Sequence, residues 1–299
     1  MPRIKANGIE LEYETFGDPK DPTLLLVMGL GAQLLGWRAG LCEQFAARGF
    51  HVVRYDNRDS GLSEFLDQGP QPDLRAIIGG DPSSAPYLVR DLALDAVGLL
   101  DALGIERAHI AGASMGGMIA QQVAIDHPER LLSLCSIMSR TGDGTSGEAT
   151  PEAGALLLAP RAEGRENAIE AGIRTWRVLG SPDYPEADAT LRDFVTANYD
   201  RSSRTDGFGR QLAAILASPD RTPGLGGVTL PTLVVHGAAD PLIHPSGGEA
   251  TARAVPGAEL LLLPGMGHNL PEPLWPLIAD AVAANAAKAA PATPAAPAV

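Results

Sequence analysis

Ala108-His109-Ile110-Ala111-Gly112-Ala113-Ser114-Met115-Gly116-Gly117-Met118-Ile119-Ala120-Gln121-Gln122-Val123-Ala124-Ile125-Asp126 changes character once, at Ser114. Before it, Ala108–Ala113 is a short apolar run of the kind buried on both faces of a parallel sheet. After it, Met115–Asp126 has helical spacing and stops at His127-Pro128. The serine therefore falls on a strand-to-helix corner, within Gly-x-Ser-x-Gly. A corner that sharp forces strained dihedrals and close backbone approach, which is why its flanks carry no side chain. It lifts the hydroxyl clear of the sheet and aims the Met115 N–H, at a helix N-terminus, at the same spot. Ser114 is the candidate nucleophile.

The same alternation extends outward on both sides. Ile4–Phe16 reads as a hairpin turning at Asn7-Gly8, with Ile9, Leu11 and Tyr13 on an apolar face and Glu10, Glu12 and Glu14 on a charged one. Strands are predicted at Thr23–Met28, Phe50–Tyr55, Leu131–Met138, Thr232–His236 and Ala258–Leu263. Helices are predicted at Trp37–Arg48, Tyr87–Leu103 and about Pro273–Ala287, and Asp67–Pro86 is a Pro/Gly/Asp-rich excursion. Strands alternating with helices give an α/β fold, a mostly parallel sheet flanked by helices. Between Arg140 and Gly227 the strand rhythm lapses. Helical patterns near Ala153–Leu158, Arg165–Leu179, Ala187–Tyr199 and Phe208–Ala217 mark an insertion. The predicted organisation is a core from residues 1–139 and 228–288, a helical insertion over 140–227 and a disordered Ala/Pro-rich tail over 289–299.

In such sheets the chemistry lies beyond the carboxyl ends of the strands. A serine hydroxyl needs a base within hydrogen-bond reach, and histidine has the suitable pKa. Of six histidines, His268 lies beyond the last strand, on the loop Pro264-Gly265-Met266-Gly267. His51, His109, His127, His236 and His244 read as surface or core residues. The acid that orients the base is read at Asp240, just past Thr232–His236, in the chain order Ser, Asp, His. Glu249 and Asp220 are weaker candidates, and Ser139 occupies the other position where an acid could stand. A tetrahedral intermediate needs two N–H donors at its oxyanion. Met115 supplies one, and the loop Met28-Gly29-Leu30-Gly31 offers Leu30 as the second.

These residues together resemble the α/β-hydrolase superfamily, and within it the serine esterase branch that includes aclacinomycin-type methylesterases. The resemblance is carried by Gly112–Gly116, Val27-Met28-Gly29, Arg54-Tyr55-Asp56-Asn57-Arg58-Asp59-Ser60-Gly61 and Pro264–His268, and covers about residues 1–140 and 228–285. It implies that Ser114, Asp240 and His268 form a triad and that the insertion is a cap over the site. Two positions depart from the common pattern. Met28-Gly29 stands where His-Gly is usual, and Asp59 where Gly is common.

The implied function is hydrolysis of a small to medium hydrophobic ester, a methyl ester or lactone among the options, through an acyl-enzyme and without metal or organic cofactor. A cofactor-free perhydrolase or haloperoxidase-like activity, a C–C bond hydrolase and a non-catalytic binding protein of the same fold are the alternatives. Trp176, Tyr184, Phe194, Tyr199 and Phe208 are candidate pocket walls, with the insertion's own core as the commoner role for each. Arg174 and Arg177 read as a solvated face.

Composition narrows the partners. A net charge of −13 and a pI near 4.8 read first as solubility and disfavour nucleic acid and anionic membrane surfaces; the small-molecule ester substrate is the partner that the resemblance implies. Cys42 and Cys135 lack metal-ligand spacing and read as buried apolar residues. The polar start and the lack of a long apolar stretch read as a cytoplasmic protein.

Overall fold

The computed structural model describes residues 2–289. Of the predicted tail, all but Ala289 lies outside the described residues. The strands are β1 (Arg3–Ala6), β2 (Ile9–Phe16), β3 (Thr23–Val27), β4 (His51–Tyr55), β5 (Ala108–Ala113), β6 (Leu131–Ile137), β7 (Thr232–Gly237) and β8 (Glu259–Leu263). The helices are α1 (Ala39–Ala46), α2 (Leu74–Ile78), α3 (Val89–Ala102), α4 (Met115–Asp126), α5 (Pro151–Leu158), α6 (Arg165–Leu179), α7 (Asp188–Arg201), α8 (Gly207–Ala217), α9 (Thr222–Leu225), α10 (Ser246–Ala254) and α11 (Trp275–Ala286).

One eight-stranded sheet runs β1-β2-β4-β3-β5-β6-β7-β8. The first two pairings are antiparallel and the other five parallel. From β3 the chain moves one way to β4 and then crosses back to β5 on the other side of β3. That reversal opens a crevice past the carboxyl ends of β3 and β5. The register aligns those ends, with Val27 opposite Gly112, Ala113 opposite Ile137 and Gly237 opposite Leu263. The segments that follow β3, β5, β6, β7 and β8 therefore meet at one rim.

Both faces of the sheet are covered from β3 to β7, as unbroken apolar strands require, whereas Leu260 and Leu262 of the edge strand β8 stay exposed. On β3, Leu25 and Val27 join the core under α3 and α4, whereas Leu24 and Leu26 join the core under α1 and α11. The β1–β2 turn has positive φ at both Asn7 (48°) and Gly8 (85°), the type I′ geometry that matches strand twist. Glu12 departs from the predicted charged face: it is buried, with Arg3 Nε 3.4 Å away. The helix expected from Trp37 begins only at Ala39. Trp37 is fully buried and its carbonyl accepts from the Arg54 guanidinium, which holds the residue outside the helical ladder. The excursion over 67–86 contains α2, capped by the Asp73 carboxylate on the N–H groups of Arg75 and Ala76. Cys42 and Cys135 are free and buried, and burial pushes each thiol up to about 12. Among the described residues no helix is long and apolar enough to cross a membrane.

Between β6 and β7 stand α5 to α9. Helices α6 and α7 enclose a small core of Ile169, Ile173, Leu191 and Val195, against which Trp176, Phe194 and Tyr199 pack. Those three aromatics thus serve the insertion's own core. Tyr184 packs on the α1/α11 core instead, and Phe208 presses on the loop after β3, where a Cβ on Gly31 would lie 2.6 Å from its ring. Arg177 pairs with Asp188 at the surface and Arg174 is exposed.

Candidate active site

Ser114 leaves β5 with φ 58° and ψ −120°, a region that costs a non-glycine residue of order 1–3 kcal/mol and is held only by its surroundings. A Cβ on Gly112 would sit 2.0 Å from Gly116 O, and one on Gly116 would sit 2.1 Å from Val27 O. Both contacts are to backbone, so neither position admits a side chain. The Ser114 N–H donates to Ile137 O at 2.9 Å. Its carbonyl accepts from Gly117 N, Met118 N and Ser139 Oγ at 2.9, 3.2 and 2.8 Å. Ser139, at the alternative acid position, is thus a buttress of the corner.

The structure brings Ser114, His268 and Asp240 together. His268 Nε2 lies 3.0 Å from Ser114 Oγ, and His268 Nδ1 lies 2.7 Å from Asp240 Oδ2. A carboxylate only accepts, so Nδ1 carries the proton and Nε2 presents its lone pair to the hydroxyl. Asp240 is 4% exposed. Its other oxygen accepts from the N–H groups of Leu242 and Ile243, both at 2.9 Å, which fixes the carboxylate plane. The loop carrying His268 is docked on the last residue of α6 and the segment after it. His268 N–H donates to Leu179 O at 2.7 Å, Gly267 N–H donates to Ser181 Oγ at 2.9 Å, and Ser181 Oγ–H donates to Asn269 Oδ1.

The other five histidines have other neighbours. His51, His109 and His244 face the hydroxyls of Thr23, Ser133 and Ser246, and His127 faces Glu129. His236 is fully buried beneath Asp240. Its Nε2–H donates to Ile243 O at 2.8 Å and stands 3.6 Å from Asp240 Oδ2, and burial holds its pKa below the ordinary value. Glu249 faces Arg253 at the surface, and Asp220 accepts from Thr222, so neither joins the cluster.

The two N–H groups nominated for an oxyanion, those of Met115 and Leu30, have no acceptor among the described residues. Around them the loop after β3 is tied down. Met28 O accepts from Asn57 Nδ2 at 2.8 Å, Gly31 N–H donates to Gln211 Oε1 at 2.7 Å, and Ala32 O accepts from Ser60 Oγ at 2.8 Å. Asn57 and Ser60 lie in the motif that follows β4, which carried a signal. Gln211 and Ser181 sit in the insertion with none. Among the described residues no group of three or more His, Cys, Asp or Glu side chains is disposed to hold a metal ion. The arrangement supplies a hydroxyl, a base within reach, an acid behind the base and two free donors, the parts that acyl transfer needs.

The chain is 29% identical over 302 residues to a rhodomycin D methylesterase of Streptomyces peucetius, covering 94% of this chain and 96% of the relative. It is 26% identical over 246 residues to 3-oxoadipate enol-lactonase 2 of Acinetobacter baylyi, covering 82% of each. An enol-lactonase structure from Burkholderia xenovorans superposes with a TM-score of 0.69 at 27% identity, over 96% of this chain and 98% of that one. Residues 22–272, from the edge of β3 to just past His268, match the α/β-hydrolase fold family, and this chain belongs to it.

Proposed function

We propose that this protein is a serine hydrolase of carboxylic esters, acting on a small to medium hydrophobic ester or lactone through an acyl-enzyme. The observation that carries the reading is the relay Ser114 Oγ–His268 Nε2 at 3.0 Å and His268 Nδ1–Asp240 Oδ2 at 2.7 Å, beside two N–H groups without acceptors. The methylesterase and enol-lactonase relatives support it, since both names describe cleavage of a bond between an acyl carbon and oxygen.

In the proposed reaction Ser114 Oγ attacks the ester carbonyl as its proton passes to His268 Nε2. Asp240 holds the imidazole in the Nδ1–H tautomer and stabilises the imidazolium. The N–H groups of Met115 and Leu30 hold the oxyanion. The tetrahedral intermediate collapses, the C–O bond to the alcohol breaks, and His268 returns the proton to the leaving oxygen. Water, deprotonated by His268, then attacks the acyl carbon. A second collapse releases the acid and restores the Ser114 hydroxyl.

The test is turnover of a chromogenic short-chain aryl ester by Ser114→Ala. Loss of a nucleophile of this kind lowers kcat by about 10⁶-fold, and labelling by a fluorophosphonate probe should disappear with it. Full turnover by the alanine variant would end the proposal. A panel of aryl esters, methyl esters and lactones then fixes the substrate class.

A further inference from the structure

Of the contacts between the insertion and the loop that offers Leu30 N–H, one is a side-chain hydrogen bond to the backbone next to Leu30, at Gly31. Gln211, on α8, is fully buried. Its Oε1 accepts from Gly31 N–H at 2.7 Å and its Nε2 donates to Arg58 O at 2.7 Å. One amide therefore joins the loop after β3 to the loop after β4, across 180 and 153 residues of sequence.

The backbone of the loop gives this contact a consequence. Ala32 N–H donates to Gly29 O at 3.2 Å, closing a four-residue turn over 29–32. Gly31 stands at its third position with φ +66°, as a type II turn requires. Turns of types I and II differ by a flip of the central peptide, here Leu30–Gly31. Gln211 grips the N–H of that peptide and so selects one orientation. In a trans peptide the C=O and N–H point opposite ways. With Gly29 O turned into the loop, Leu30 N–H is directed out of it. On the other side Asn57 Nδ2 holds Met28 O. The Gly29–Leu30 peptide thus lies between two anchored neighbours.

We infer that Gln211 is a positioning residue for the oxyanion loop, through which the helical insertion sets the aim of the Leu30 N–H. The inference rests on the proposed function, because it takes that N–H as an oxyanion donor. Gln211 touches no reacting atom. Its effect belongs to the transition state, where charge develops on the carbonyl oxygen, and much less to substrate binding.

The experiment compares Q211M, which fills the same space without either hydrogen bond, with Q211E, which keeps an acceptor for Gly31 N–H. Removing an oxyanion donor outright typically costs 10²–10³-fold in kcat, and misdirecting one costs less. Q211M is expected to lose about 10–100-fold in kcat with KM within threefold. Affinity for a trifluoromethyl ketone, whose adduct places an oxyanion at the same point, should weaken by the factor lost in kcat/KM. Q211E should recover part of the kcat, because its carboxyl accepts from Gly31 N–H but, when ionised, cannot donate to Arg58 O. If Q211M is not obtained folded, Q211N, one methylene too short to span both loops, is read by the same criteria. A kcat within twofold of the parent overturns the inference, as does a loss that falls on KM while ketone affinity is unchanged. Ser114→Ala, assayed alongside, separates the two readings. An active alanine variant removes the proposed function, whereas an inactive one beside an unimpaired Q211M removes only the role of Gln211.

Discussion

Arg210 clasps Asp59 with two parallel hydrogen bonds, Nε to Oδ2 at 3.0 Å and Nη2 to Oδ1 at 2.5 Å, inside the protein where each side chain is at most 1% exposed. Asp59 also accepts from Tyr87 Oη at 2.7 Å and from Leu66 N–H at 2.9 Å. Its φ is +64°, the left-handed region that favours glycine. This accounts for a carboxylate where the resembling sequences commonly have glycine: four hydrogen bonds offset the backbone strain, and one partner is the helix that carries Gln211. Removing one member of a buried pair leaves the other uncompensated, at about 3–5 kcal/mol. Arg210→Met should therefore lower unfolding stability by that order in urea titrations. The double variant Asp59→Gly/Arg210→Met relieves both the stranded charge and the strain, and should regain most of the loss. A double variant as unstable as the single would show that the pair is not what Asp59 is there to make.

How far these features were legible follows from the range of the interactions behind them. The helix read at Arg165–Leu179 is α6 end for end, and the strand read at Ala108–Ala113 is β5, because a period of 3.6 or an apolar run between breakers is written locally. The short helices α2 and α9 are too brief to show a period. Trp37 has the spacing of the helix that follows it and lies outside that helix because a buried guanidinium from β4 occupies its carbonyl. Ser114, Asp240 and His268 could be nominated because each follows a readable strand. Gln211, Arg210 and Ser181 could not. Each sits in the helical insertion or just after α6, and its partners in the core lie 86 to 180 residues away. Nothing in the neighbouring sequence distinguishes Gln211 from any polar residue on a helix. That the insertion grips the site on two sides is a tertiary fact.

The second grip is Ser181, which accepts from Gly267 N–H and donates to Asn269 Oδ1 on either side of His268. Ser181→Ala would leave a buried N–H without an acceptor, at about 1–3 kcal/mol. It would also loosen the loop that places the imidazole. The expected outcome is a drop in kcat of roughly three- to tenfold, since effective proton transfer depends on geometry near 3 Å, together with a lower thermal midpoint. An unchanged kcat accompanied by the lower midpoint would confine Ser181 to stability.

A pH effect on stability should originate far from the site, at His109 in β5. The ring is 5% exposed, packed edge-on against Phe50 with centroids 5.6 Å apart, and its Nδ1 lies 2.8 Å from Ser133 Oγ. Burial, and secondarily the Arg107 charge, lower its pKa from 6.5 to about 4. Between those values the unfolded chain binds a proton that the folded chain does not, so stability falls as pH falls. The loss is absent above about pH 6.5 and grows to the order of 3 kcal/mol near pH 4. His236, also buried and also shifted downward, adds in the same direction. His109→Gln keeps an amide opposite Ser133 and removes the titration. Urea midpoints at pH 7 and pH 4.5 should therefore differ less for the variant than for the parent. Both proteins share every carboxylate that titrates in the same window, so the comparison isolates the imidazole. Equal differences in the two proteins would mean that His109 is protonated in the fold without penalty, and that the acid sensitivity lies elsewhere.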